Sequence, residues 1–354
     1  MQPSNPFFTQ LSIQHQIIQA PMAGTSTPRL AAAVSNAGAL GSLGIGASTA
    51  DQARAMIEET RTLTGKPINV NVFCHAPARR DAGVEAAWLA HLAPLFNEAG
   101  APLPTALDEI YRTFNDDEES FRMLLALRPE VVSFHFGLPS TERLAALRAA
   151  GIRTLATATN LHEALRIEQA GIDAILAQGI EAGGHRGMFD PEATDERLSM
   201  AVLVRLLVKR TRLPVIAAGG IMDGAGIKAA LDLGAAGAQL GTAFILSPES
   251  AANEAYRANL QSERAAVTTL TAAISGRPAR GIVNRIISHG ASGIPAAYPV
   301  AYDAAKQLHA VAAKAGNHEY APHWAGQGAP LARALPAAEL VETLVRELYA
   351  AGQA

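Results

Sequence analysis

At 354 residues, 49% hydrophobic but only 5% aromatic and carrying 30 glycines, the chain can hold two ordinary domains or one α/β barrel with additions. A formal charge of −3 supplies no basic field for nucleic acid, and the longest apolar region, 229–246, is too broken by Asp232, Gln239 and glycines to span a membrane. Its one cysteine, Cys74, excludes an intrachain disulfide and any cysteine-based metal site, and Met1–Asn5 lacks the blocks of a signal peptide, so the cytoplasm is expected.

The elements repeat a strand-then-helix theme. A strand at 17–20 ends at Pro21, and Thr27-Pro28 opens a helix with a cap and an N1 proline. A strand at 39–43 precedes a helix that opens at Thr49–Asp51 and runs to about Leu63. The third strand, 68–73, alternates asparagines with β-branched residues, and polar groups at the end of a buried strand need partners. From 76 to about 127 prolines punctuate helical pieces, which reads as an insertion, with the acidic run 116–119 as a solvated helix start. Strands at 131–136 and 153–157 follow, then a helix at 161–170 capped by Asn160.

The sixth strand, 173–177, runs into Gln178-Gly179-Ile180-Glu181-Ala182-Gly183-Gly184-His185-Arg186-Gly187. Glycine admits positive φ and close approach of the backbone to a ligand, so a histidine on such a turn is placed there; a tight surface loop is the bland alternative. A helix at 198–210, a strand at 215–218 ending in Gly219-Gly220, a helix at 224–233 and a strand at 236–240 ending in Gly241-Thr242 complete the series. Eight short strands, apolar on both faces and separated by helices, predict an α/β fold of the (β/α)₈ TIM barrel type. The rival open dinucleotide-binding sheet lacks its glycine fingerprint after the first strand.

In such barrels a phosphate commonly sits on the loops after strands seven and eight, here Gly219-Gly220 and Gln239-Leu240-Gly241-Thr242; turn chemistry alone is the alternative. Some 110 residues then remain, including the segments 276–281, 298–306 and 323–328, and a last helix at 337–350. With the insertion they can form a mostly helical lid over the barrel mouth. His318, Glu319 and His323 miss the spacing of a zinc helix, so no metal is expected.

Six segments carry a resemblance over essentially the whole chain: Gln19–Gly24, Asn69–Phe73, Ala177–Gly187, Ala217–Ile221, Gln239–Thr242 and Trp324–Gln327. The chain resembles the nitronate monooxygenase family, flavin enzymes with a barrel that binds FMN and a smaller lid domain. Ser133–Gly137 and the spacing of Tyr298, Tyr302 and Lys306 resemble its nitronate-oxidising class. The resemblance implies a barrel at 1–245, with a helical insertion at about 76–128, and a C-terminal segment at 246–354, part lid and part closing helix. It implies oxidation of alkyl nitronates, propionate 3-nitronate among the candidates, with O₂ to a carbonyl compound and nitrite. Flavin-dependent enoyl-thioester reductases share the barrel and much of the glycine pattern, and an NAD(P)H-driven reductase is the alternative.

By position, the resemblance assigns FMN contacts to Met22, Asn71, Gln178, Gly183, Gly219, Gly220, Gln239, Leu240, Gly241, Thr242 and Gln327. His185 is the catalytic candidate, either as a cation binding the nitro oxygens or as a base for the α-proton of a neutral nitroalkane. His135, Tyr298, Tyr302 and Lys306 are candidate substrate contacts, the last three being equally readable as one helix face that packs the lid. A homodimer is one assembly open to such a chain.

Overall fold

The computed structural model describes residues 5–353. Eight parallel strands form one sheet: β1 (Ile17–Gln19), β2 (Gly41–Gly44), β3 (Ile68–Phe73), β4 (Val131–His135), β5 (Arg153–Ala158), β6 (Ala174–Gln178), β8 (Val215–Ala218) and β9 (Gly237–Leu240). Their order is β1-β9-β8-β6-β5-β4-β3-β2, and Gln19 N–H donating to the Leu40 carbonyl (2.9 Å) closes β1 onto β2. The result is a nearly closed TIM barrel. A short strand β7 (Gly184–His185) lies outside it, in a three-stranded antiparallel sheet with β11 (Ala279–Ile282) and β10 (Thr268–Thr271).

Successive strand residues face opposite ways, so Ile175 and Ala177 join the core beneath the helices while Leu176 packs inside the barrel with Ile18, Leu155 and Ile216. Phe7 and Phe8, from the N-terminal turn of helix Pro6–Gln10, pack with that inner layer. The helix starts follow side-chain chemistry: Thr27, Thr49, Asn160 and Ser199 each accept a hydrogen bond from the backbone three residues on. Ser199 explains why the helix expected from Leu198 begins at Met200.

A further apolar cluster joins helix Ala82–Glu98 to helices Arg285–Gly290 and Val300–Lys314, with Trp88, Leu92, Phe96, Ile286 and Leu308 at its centre. Helix Ala337–Ala351 packs back on the barrel helices Pro28–Asn36 and Gly224–Asp232. The expected helix face of Tyr298, Tyr302 and Lys306 is corrected: the helix starts at Val300, leaving Tyr298 ahead of it. No described helix is long and apolar enough to cross a membrane.

Candidate active site

At the C-terminal ends of the barrel strands a cavity of about 600 Å³ opens, walled on one side by the barrel and on the other by residues 298–328. Gln178 and the residues 182–185 line it, and one buried cation just behind them shapes the segment. Arg186, 1% exposed, pairs in fork geometry with Asp195 (Nε–Oδ2 2.9 Å, Nη2–Oδ1 2.9 Å). Its third nitrogen donates to the carbonyls of Gln178 (2.9 Å) and Gly179 (3.2 Å), which pulls the end of β6 round into the loop. Gln178 completes the clamp, donating to the His185 carbonyl (2.9 Å) and accepting from Gly187 N–H (2.8 Å).

Gly183 is required by contact. A Cβ there would sit 2.5 Å from the Gly326 nitrogen, so glycine alone lets the strap at 325–326 cross the loop. That strap is tied down by Gly326 N–H donating to Thr242 Oγ1 (3.0 Å) and Gln327 N–H donating to the Glu181 carbonyl (2.9 Å).

His185 thus has a fixed backbone, and its ring is fixed as well. Phe136, Tyr298, Tyr302 and Trp324 surround it at centroid distances of 5.7, 5.7, 6.2 and 5.3 Å. Burial, with lesser contributions from His135 and Arg277, pushes its pKa down to about 3, so at neutral pH the ring is uncharged in the ligand-free pocket. The expected cationic role therefore has no support there.

The tautomer follows from hydrogen-bond bookkeeping. Ser275 Oγ lies 2.8 Å from His185 Nε2, 3.1 Å from the Arg277 carbonyl and 3.3 Å from Arg277 N–H. All four groups are satisfied only if Ser275 donates to the carbonyl and accepts from Arg277 N–H and from His185 Nε2–H. Nδ1 then carries the lone pair, and the one side-chain hydrogen bond of the ring being that at Nε2, Nδ1 is left for the cavity that His185 lines.

His135 also lines the cavity, yet both of its nitrogens are engaged, Nε2 with the His185 carbonyl (3.2 Å) and Nδ1 with Thr157 Oγ1 (3.0 Å). Burial, opposed by that carbonyl bond, lowers its pKa to about 4. It therefore braces the His185 strand and has no free donor for a substrate. Tyr298 and Tyr302 face the cavity, with burial holding both phenols well above their ordinary pKa and hence protonated. Exposed Lys306 is the single Lys or Arg in the cavity wall among the described residues, its Nζ 4.7 Å from the Tyr111 ring centroid.

Met22, Asn71, Gln178, Gly183, Gly219, Gly220, Gln239, Gly241 and Thr242 also line the cavity. Leu240 and Gln327 do not: Leu240 points outward into the core beneath the helices, as the inward-outward alternation of β9 dictates once Gln239 faces the cavity, and the Gln327 side chain is exposed outside the strap. No motif marks Ser275, Arg277 or Tyr111: the first two, about 90 residues beyond His185, become its neighbours only through the β7–β11 pairing, and Tyr111 reaches the cavity from the insertion by packing on Tyr302.

The barrel side offers groups that a flavin cofactor would use. Gly219 and Gly220 have φ of +118° and +71°, and the N–H groups of Gly220 and Gly241 donate to no acceptor among the described residues. The buried Gln239 Oε1 lacks a partner as well. Free amides and an orphaned amide oxygen facing a cleft are what a phosphate and a heterocycle edge would satisfy. Among the described residues no group of side chains could hold a metal ion.

Comparison with known proteins agrees with this geometry. The family model for nitronate monooxygenase matches residues 5–347. A nitronate monooxygenase of Paraburkholderia phytofirmans is 60% identical over 341 residues, covering 96% of this chain and 93% of that one. Another, of Pseudomonas aeruginosa, is 56% identical, covering 97% and 98%. The solved structure of a nitroalkane oxidase from Streptomyces ansochromogenes superposes with a TM-score of 0.92 at 41% identity, covering 98% of this chain and 99% of that one. A barrel with a neutral imidazole at its mouth, matched along nearly its whole length in this way, belongs to the nitronate monooxygenase family of flavin-dependent oxidoreductases, whose reaction is nitronate oxidation.

Proposed function

We propose that the protein binds FMN and oxidises alkyl nitronates, propionate 3-nitronate among them, with O₂ to a carbonyl compound and nitrite. The observation that carries this reading is His185, neutral and clamped, with Nδ1 open to an aromatic-walled cavity beside two glycine loops whose N–H groups are free. FMN, when bound, supplies the electron acceptor and the chemistry with oxygen.

The residues divide the remaining work. Gly219, Gly220, Gly241 and Thr242 hold the phosphate through backbone N–H groups, and Asn71, Gln178, Gly183, Gln239 and Met22 border the ring system. Segments 76–112 and 246–332 act as the lid, helix Glu118–Leu127 packing instead on the barrel helices Ala50–Leu63 and Thr141–Ala149, and Tyr298, Tyr302 and Trp324 exclude water above the reacting atoms. The Tyr298 and Tyr302 hydroxyls donate to the nitro oxygens, while Lys306 at the rim meets a polar tail. A nitronate is already a carbanion equivalent and needs no deprotonation. For a neutral nitroalkane, His185 Nδ1 takes the α-proton.

His185→Asn is the test, with nitrite release and oxygen uptake measured on flavin-loaded protein. The variant is expected to keep its flavin and to lose about 10²–10⁴-fold in turnover of neutral nitroalkane, the usual worth of a positioned base. Undiminished turnover would remove His185 from the chemistry.

A further inference from the structure

Arg277 is 2% exposed and lies in the turn that also presents Ser275 to His185. Its Nη2 donates to the Met188 carbonyl, its Nε is buried without a partner, and it forms no ion pair among the described residues. Glu163 and Asp190 reach it only as distant charges, and Glu163 is already spent on Phe189 N–H (2.9 Å) and on Thr159. A guanidinium left unpaired in the interior is costly, so its presence calls for an anion that arrives later.

The geometry says where that anion would be. The Arg277 Cζ lies 4.2 Å from the Phe136 ring centroid and 5.9 Å from that of Tyr298. Both rings belong to the cavity wall while Arg277 does not, and both stand 5.7 Å from the His185 ring. The charge therefore sits one aromatic ring behind the wall, where solvent cannot screen it. His185 contributes no positive charge, and Lys306 is exposed at the rim.

We propose that Arg277 is a specificity-determining residue, the fixed counter-charge that makes this cavity prefer an anionic nitronate to its neutral nitroalkane conjugate acid. It touches neither substrate nor cofactor and acts through Phe136 and Tyr298. The inference rests on the reading of this cavity as the nitronate site.

Calorimetry on the flavin-loaded enzyme with butyrate and butyramide, an unreactive anion and its neutral isostere, tests the charge apart from turnover. Arg277→Met should weaken butyrate about tenfold, as loss of one poorly screened charge at this range would, and leave butyramide within about twofold. Arg277→Lys should restore most of the butyrate affinity. Equal weakening of both ligands, or of neither, would overturn the proposal. A second arm leaves the buried turn intact: in exposed Lys306→Met the native preference for butyrate should persist, and its collapse to parity would assign the charge to Lys306 and overturn the proposal. Nitrite release from ethylnitronate by the native enzyme is scored separately, since its absence would sink the nitronate reading whatever the affinity ratio.

Discussion

The β6 end of the barrel and the lid wall of the cavity are built on opposite principles, while the glycine loops after β8 and β9 keep Gly220 N–H, Gly241 N–H and Gln239 Oε1 open for a ligand. At the β6 end, Arg186 has a fork-paired carboxylate and two carbonyls and Gln178 uses both ends of its amide, and on neighbouring β3 Asn71 donates to Ser133. On the lid side, the buried Arg277 Nε and single nitrogens of His309, His318 and His323 have no partner. A satisfied network gives one geometry, and an unsatisfied one stores electrostatic bias for a ligand to relieve. Position at this site is a property of the barrel, and selection a property of the lid.

The largest way to break the barrel side is to remove its keystone. Arg186→Met leaves Asp195 without its partner and frees the turn after β6, and it should cost about 3–5 kcal/mol in chemical denaturation. A loss below about 1 kcal/mol would mean that the loop is held by something else.

Acid tests the buried imidazoles on both sides of the cavity. His75, His135, His185 and His323 are pushed down to about 4, 4, 3 and 4, burial being the leading cause in each. Below about pH 6.5 the unfolded chain takes up protons that the native protein refuses, so stability present above that pH is lost as it falls toward 4. Denaturation midpoints should decline from pH 7 to 4.5, by up to about 1.4 kcal/mol per pH unit for each imidazole. His75→Phe should make the decline shallower, and an unchanged slope would clear His75 of any part in it.

Gly220→Ala sharpens the comparison at the phosphate loop. A Cβ at φ +71° costs about 1 kcal/mol, and FMN affinity, titrated into apoprotein, should fall more than stability does. The smallest effect belongs to the outer surface: Lys228→Met breaks an exposed pair with Asp232 and should change stability by no more than about 0.5 kcal/mol.

Most strands were readable because they are short, largely apolar runs bounded by glycine or polar residues, and the caps Thr27, Thr49 and Asn160 act within three residues of themselves. His185 was readable because its glycines are local too. What distant segments decide was not: the pairing of Gly184-His185 with β11, the hydroxyl of Ser275, the buried charge of Arg277 and the closure of helix Ala82–Glu98 on helix Val300–Lys314. Tyr298, Tyr302 and Lys306 show how a true periodicity misleads, since the i, i+4, i+8 spacing holds while the helix begins only at Val300.

The most direct measurement is anaerobic mixing of the flavin-loaded enzyme with ethylnitronate, followed by visible absorbance. Bleaching of the flavin band by the nitronate, with little response to NAD(P)H, is the predicted result. A band that NAD(P)H bleaches and the nitronate leaves untouched would contradict the account.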